Sequence, residues 1–290
     1  MILFKGIMND IRWAFNIAEW IPVAQDWLFA NSCISKEEKK RVHQFVFKND
    51  AKLALAGRLL IRSCISYLAG IPAPDIVLER TQKSKPFLVN NSSGLSFNVS
   101  HQGNYSVIAG SLLNDVGVDV MKIDRPVNTT VPDFFKTMTR QFTPEEWQVI
   151  KSKESERDQM AAFYRFWCLK ESYVKAIGTG LGTSTAEYMR FELNTESLTK
   201  EDIVADSILY VNGQKSDWTF HESLIDDEHI ATVAVKPNDR YQQPPKTVRF
   251  VNVKYKEIIT HVAPIIPDDP EAWLNFSSKK ERPVKVFDIP

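Results

Sequence analysis

The sequence predicts an α+β fold of two similar α/β halves followed by a C-terminal extension. Three observations lead there. A strand-like segment, a set of helices and a run of strand candidates occur in that order twice, the second round starting near residue 115. Each round contains one long helix closed by a glycine, Gly70 in the first and Gly178 in the second. Beyond residue 236 the composition shifts, and Pro237, Pro244, Pro245, Pro264, Pro267, Pro270, Pro283 and Pro290 interrupt the chain. The expected division is 1–115 for the N-terminal half, 116–240 for the C-terminal half and 241–290 for the tail. The halves share an order of elements without strong residue-by-residue identity.

Taken in order, Ile11, Trp13, Phe15 and Ile17 alternate with polar or small residues, the period of a strand. Ser35-Lys-Glu-Glu38 has capping-box spacing and opens a helix expected to carry Val42, Phe45 and Val46. A longer helix runs from near Asp50 to Gly70, with Pro72 just beyond. Strand-like runs follow around 76–78, 96–99 and 105–109. In the second round 116–123 reads as a strand. Thr143-Pro144-Glu145-Glu146 then combines an N-cap, a first-turn proline and a capping-box acid. A long helix extends from about Arg157 to Ile177, and strands are expected at 188–193, 208–211, 218–220 and 230–235. The tail offers one strand candidate, 248–253, and otherwise reads as a segment wrapping over the body or partly disordered.

A chain of 290 residues with 43% hydrophobic and 25% charged content has the make-up of an ordinary globular protein with a sizeable core. The net charge is zero, which argues against a broad nucleic-acid footprint, so any basic site must be a local concentration of Lys and Arg. Cys33, Cys64 and Cys168 form neither a zinc pattern nor an even disulfide set and read as buried free thiols in a reducing compartment. The N-terminal Met-Ile-Leu-Phe-Lys-Gly-Ile is too short for a signal peptide, and no run approaches the ~18 apolar residues of a membrane span. A cytosolic protein with no membrane contact is the expectation.

Two carboxylates stand where local structure disfavours them. Asp119 lies within the apolar strand run Val116–Ile123, and strands are depleted in Asp. Val116, Val118 and Val120 share one face of that strand, while Gly117, Asp119 and Met121 share the other. Asp119 is either a solvent-facing strand acid or a functional one, and Gly117 would let a ligand approach the backbone. Glu171 falls amid Met160, Phe163, Tyr164, Trp167 and Val174 in a helix that is apolar nearly all round. Lys175 follows one turn later. An exposed Glu171–Lys175 pair would contribute only about 0.3–0.5 kcal/mol, and a buried one would hardly offset desolvation. The alternative is chemical: two carboxylates for Mg²⁺ and Lys175 for a phosphate oxygen.

Other segments are weaker alone. Asn98-Val99-Ser100-His101-Gln102-Gly103 ends a strand in a polar turn whose Ser100, His101 and Gln102 can donate to phosphate oxygens, or is an ordinary hairpin turn. Ser100 and His101 point to opposite faces and have no third orienting group, so they do not read as nucleophile and base. Arg80, Lys83 and Lys85 form one cationic run and Lys39-Lys40-Arg41 another; each is a solvated face or part of a site for a multiply phosphorylated ligand. Gly178-Thr179-Gly180-Leu181-Gly182 follows a helix instead of preceding one, which suits a helix C-cap better than a phosphate loop.

Together these segments resemble the 4′-phosphopantetheinyl transferase superfamily, in particular its larger, monomeric, pseudo-dimeric group. The matching elements are Gly117-x-Asp119, the Trp167-x-x-Lys170-Glu171-x-x-x-Lys175 helix and Asn98-x-Ser100-His101, in the family's order, over roughly residues 10–240. Gln44–Phe47, Ala56–Leu59, Ser100–Gly103, Val118–Lys122 and Leu169–Ser172 look like an animal cytosolic branch of it. The resemblance implies a fold of two halves related by pseudo-two-fold symmetry. It implies holo-acyl-carrier-protein synthesis: the phosphopantetheine arm of coenzyme A moves to a carrier-protein serine, releasing adenosine 3′,5′-bisphosphate. The carriers implied are the acyl carrier protein of fatty acid synthase and the carrier domain of aminoadipate-semialdehyde dehydrogenase-like proteins of lysine metabolism.

By the same resemblance Asp119 and Glu171 hold Mg²⁺, Lys175 binds the diphosphate, and Glu171 accepts the serine proton directly or through water. Arg41, Arg80, Lys85, Ser100 and His101 bind the nucleotide end, including its 3′-phosphate. A basic or apolar patch near Lys170 would receive the acidic carrier. One position departs from many bacterial relatives, which carry a third acid where this chain has Met121; a water held by Gln102 would fill that place. The rival readings are a Mg²⁺-dependent hydrolase of the coenzyme A diphosphate, distinguished by free phosphopantetheine as product, and a non-catalytic coenzyme A-binding protein, which would tolerate Glu171→Gln.

Overall fold

The computed structural model describes residues 8–180, 188–239, 241 and 243–282. The N-terminal heptapeptide, Leu181, Gly182, Pro283 and Pro290 lie outside the described residues. The first round comprises β1 (Asp10–Asn16), α1 (Ala24–Ser32), α2 (Lys36–His43), α3 (Lys48–Ala69), β2 (Leu78–Arg80), β3 (Pro86–Leu88), β4 (Ser96–Gln102) and β5 (Tyr105–Ser111). The second comprises β6 (Asn114–Lys122), α4 (Val131–Thr137), α5 (Pro144–Lys151), α6 (Glu156–Ile177), β7 (Met189–Glu192), β8 (Ile208–Val211), β9 (Gln214–Lys215), β10 (Thr219–Leu224) and β11 (His229–Pro237). The tail adds β12 (Val251–Asn252), α7 (Tyr255–Ile258) and α8 (Glu271–Ser277).

Local chemistry sets the helix ends. Ser35 and Thr143 each close a full capping box with Glu38 and Glu146. Gly70 and Gly178 end the two long helices at φ 66° and 72°, a left-handed conformation that glycine adopts without a Cβ penalty. The short helix α2 stops at His43, so Phe45 and Val46 leave it and are exposed, contrary to expectation. The tail is the reason. Lys279 Nζ donates to the carbonyls of His43 (2.8 Å) and Phe45 (2.6 Å), while Lys280 N–H donates to Val46 O (3.3 Å) and Lys48 N–H to Lys280 O (2.9 Å). Two expected strands also change: the 76–78 run starts only at Leu78, because Ile76 caps a short 3₁₀ turn, and 248–253 contracts to β12.

Two sheets dominate, ordered β12-β1-β5-β4 and β10-β11-β6. In each, the first strand of a round lies antiparallel to its last, which lies antiparallel to the one before. This shared β1-β5-β4 and β6-β11-β10 order accounts for the repeat seen in the chain. One core lies between α3 and the first sheet, another around α6, and a third between the sheets, where Val116, Val118 and Val120 meet Ala14, Val107 and Ala109. The tail belongs to the first core: Ile258, Val262, Ala272 and Phe276 are buried there, and Phe276 stacks on Trp27 with ring centroids 3.7 Å apart.

The sheets meet along an unusual seam. Among the described residues no backbone ladder joins β4 to β6; side chains of β4 take the place of carbonyls. Val116 N–H donates to Ser96 Oγ (3.1 Å), Val118 N–H to Asn98 Oδ1 (2.9 Å) and Lys122 N–H to Gln102 Oε1 (2.5 Å). Across the strand, α6 presses directly on β6. A Cβ on Gly117 would lie 2.1 Å from the Ser172 carbonyl oxygen and 2.3 Å from Ala176 N. Gly117 therefore admits a helix, where the sequence suggested a ligand, and this close approach sets Glu171 and Lys175 beside Asp119.

Candidate active site

Alternation along β6 turns the valines into the core between the sheets and turns Asp119 toward α6. Asp119 is only 3% exposed, which removes the solvent-facing reading. Its Oδ1 accepts from Ser100 Oγ (2.8 Å) on β4 and from Lys175 Nζ (2.6 Å) on α6, and Lys175 Nζ also donates to Ser100 Oγ (2.7 Å). This contact replaces a seam rung: Ser96, Asn98 and Gln102 accept backbone N–H groups, whereas Ser100 donates to a carboxylate. Lys175 thus pairs across the fold with Asp119, and the intrahelical Glu171–Lys175 bridge open from sequence does not form.

Both acids keep an unmatched oxygen. Asp119 Oδ2 and Glu171 Oε1 are buried without a hydrogen-bond partner among the described residues. Each such orphan costs about 1–3 kcal/mol, more when charged. Burial, and secondarily the Asp119 charge, push the Glu171 carboxyl up to about 7, against the opposing pull of Lys175. Among the described residues no group of three or more His, Cys, Asp or Glu side chains could hold a metal. Met121, half-buried, occupies the position where a third acid would stand.

His101 and Lys85 reach the neighbourhood of Lys175. His101 follows Ser100 on the opposite, α3-facing side of β4, exposed at the end of the strand. Desolvation, then the Lys175 and Arg58 charges, hold its imidazole below the usual range, with Asp50 opposing. Lys85 Nζ donates to Ala176 O near the end of α6 (2.8 Å), and desolvation lowers its ammonium, opposed by Asp115. Arg80 donates to Ser84 O (2.8 Å), closing the turn that carries Lys83 and Lys85. Arg41, on the last turn of α2, pairs with Glu37 at 2.7 Å in solvent. Gln102 Oε1 accepts from Lys122 N–H in the seam (2.5 Å). Lys170 is not a surface feature: it is 3% exposed and bonded to Glu146 (2.9 Å) and to Met189 O (2.9 Å), so its own charge is not offered to a carrier.

Two residues escaped sequence reasoning. Arg58 is a charge inside the apolar helical run Leu53–Leu60, the same anomaly that marked Glu171. His229, buried on β11, shares a hydrogen bond with Asp226 through Nδ1 (2.8 Å) and accepts from Asn104 N–H through Nε2 (3.2 Å). It pins the β4–β5 turn, where a Cβ on Gly103 would fall 2.3 Å from His229 Nε2. No local pattern marks that role.

The family model described as "4′-phosphopantetheinyl transferase, N-terminal" matches residues 18–113, and that of the 4′-phosphopantetheinyl transferase superfamily matches residues 115–234. The chain is 39% identical to an L-aminoadipate-semialdehyde dehydrogenase-phosphopantetheinyl transferase of Xenopus laevis, over 98% of this chain and 97% of that protein. It is 39% identical to the Homo sapiens protein of the same name, over 96% and 94%. It is 36% identical to a phosphopantetheinyl transferase of Thraustochytrium, over 77% of each chain. On two consecutive family matches and near-complete alignment at this identity, the chain belongs to the 4′-phosphopantetheinyl transferase superfamily.

Proposed function

We propose that this transferase carries out its reaction in the cleft between β4, β6 and α6, with Asp119, Glu171 and Lys175 at the reacting end. As a member of its family it takes coenzyme A as donor and a carrier-protein domain as acceptor. The observation that carries the residue assignment is the pair of orphaned buried oxygens, Asp119 Oδ2 and Glu171 Oε1, beside one ammonium and one hydroxyl. Such a pair fits Mg²⁺, which takes oxygen ligands and is commonly held by one or two carboxylates together with substrate phosphates and water. When bound, the ion would neutralise negative charge on the diphosphate.

Lys175 presents its ammonium to the same diphosphate. Arg41, Arg80, Lys85, Ser100 and His101 receive the nucleotide end. Glu171 accepts the proton of the attacking serine, directly or through water. The serine oxygen bonds to the pantetheine-bearing phosphorus as the link from that phosphorus to the bridging oxygen breaks, and adenosine 3′,5′-bisphosphate leaves. The relatives' names point to an aminoadipate-semialdehyde dehydrogenase carrier domain as one acceptor, and the acyl carrier protein of fatty acid synthase is another of the same chemistry. Because Ser100, Asp119 and Lys175 converge within one chain, a monomer suffices. The three buried free thiols suit the cytosol. The test is the intact mass of an apo carrier domain incubated with coenzyme A, this protein and Mg²⁺ or a chelator. A gain of one phosphopantetheine only with Mg²⁺, lost in Glu171→Gln, is expected; an unchanged carrier with free phosphopantetheine released would overturn the reading.

A further inference from the structure

We propose that Arg58 is a phosphate-binding residue of the coenzyme A cleft, and that it makes the protein discriminate coenzyme A from its 3′-dephospho form. This rests on the functional reading above and adds a residue that none of the sequence motifs singled out for a role.

The backbone places Arg58. Gly57 rests on the β4–β5 pair: a Cβ there would lie 3.4 Å from Ser106 Oγ and 3.6 Å from Val99 Cγ2. Ser106 is the cross-strand partner of His101. Arg58, the next residue along α3, therefore emerges beside His101, and its charge acts on that imidazole together with Lys175. On its other side the charges of Arg80 and Arg41 act on Arg58 itself. Guanidinium groups from α2, α3 and β2 are thus close enough to act on one another, with His101 beside Arg58.

Arg41 is paired with Glu37 (2.7 Å) and Arg80 donates to Ser84 O (2.8 Å), whereas Arg58 has no acid of its own among the described residues. The acid that favours the Arg58 charge is Glu38, yet its carboxylate already accepts from Arg62 Nη2 (3.1 Å) and from Ser35 N–H (3.0 Å). Arg58 Nη1 donates to Ala54 O (2.6 Å), which ties the group to its own helix. Its Nε is buried without a partner among the described residues. A planar fork with an unmatched donor, crowded by like charges, matches a phosphomonoester dianion, which accepts two parallel N–H bonds and relieves the repulsion. Coenzyme A carries one such group apart from the diphosphate that Asp119, Glu171 and Lys175 would engage, namely its 3′-phosphate.

Calorimetry on the full chain with coenzyme A, 3′-dephospho-coenzyme A and adenosine 3′,5′-bisphosphate, at one ionic strength, tests this without turnover. Wild type should bind coenzyme A more tightly than the dephospho form. Arg58→Gln should weaken coenzyme A and the bisphosphate roughly tenfold or more while leaving dephospho-coenzyme A nearly unchanged. Arg58→Lys, which keeps charge but not the fork, should fall between. Equal weakening of both coenzymes in Arg58→Gln, or none, would overturn the assignment. Should Arg58→Gln fail to fold, an unchanged discrimination ratio in Arg58→Lys overturns it equally. Wild type binding neither coenzyme would instead reject the functional reading itself.

Discussion

Asp119 and Glu171 sit where solvation alone would not keep a carboxylate. Asp119 is partly compensated by Lys175 and Ser100, Glu171 hardly at all. The two acids should therefore respond differently to substitution. Glu171→Gln removes a charge that burial and Asp119 both disfavour, so the melting temperature should hold or rise while turnover falls about 10²-fold or more, as for other groups that act on transition-state charge. Asp119→Ala should lose comparable activity but also melt lower, because it removes the carboxylate to which both Lys175 and Ser100 are hydrogen-bonded. Paired turnover and melting curves check this; Glu171→Gln with near-normal turnover would remove Glu171 from the reacting end.

At the scale of elements, the site depends on how closely α6 lies on β6. Its two functional side chains come from one turn of helix, and the helix can reach them to Asp119 only because residue 117 has no Cβ. Gly117→Ala cannot be absorbed by a side-chain shift, since the atoms it meets are the backbone of Ser172 and Ala176. Lifting the helix should cost about 1–3 kcal/mol or more. Turnover should fall further than that destabilisation predicts at a temperature where the variant is still folded, because Lys175 loses contact with Asp119 and Ser100. Circular dichroism with single-turnover kinetics separates the two effects; full activity in a folded Gly117→Ala would mean the close approach is dispensable. The neighbouring seam follows similar logic: Ser96, Asn98 and Gln102 hold β6 in register while Ser100 is left to meet Asp119.

For the whole molecule, the junction between the two sheets carries buried polar groups with no role in the chemistry above. His221 on β10 is 3% exposed, both its ring nitrogens lack partners among the described residues, and the buried Arg12 of β1 lies near enough to repel its charged form. Burial and, secondarily, Arg12 lower its pKa to about 4. An unfolded histidine titrates near 6.5, so between pH 6.5 and 4 the unfolded chain binds a proton that the folded chain refuses. Stability should therefore fall with acidification across that window, by up to about 3 kcal/mol from this one group. Urea midpoints at pH 7.5 and 5.0 should differ less in His221→Leu than in wild type; an identical pH dependence in both would show that His221 charges freely in the folded state.

Features governed by a few neighbouring residues were legible in the chain by itself. The capping boxes at Ser35 and Thr143, the glycine ends of α3 and α6 and the alternation of β1 and β6 all depend on contacts within about one helical turn or along one strand. Asp119 and Glu171 stood out because a carboxylate in an apolar run violates local expectation, and the family resemblance followed from them. Distant neighbours decided the rest. Lys175 had an acid one helical turn away, yet the packing of α6 on β6 gave it Asp119 instead. Gly117 was read for a ligand because nothing local announces a helix backbone that close. The tail shortened α2 by taking its last carbonyls through Lys279. The β4–β6 seam joins residues twenty positions apart through side chains, a pattern with no period of its own. Capping and alternation are short-range and recur in any fold, whereas which charge meets which acid depends on how the packed sheets and helices lie against one another, and that arrangement exists only once the chain has folded.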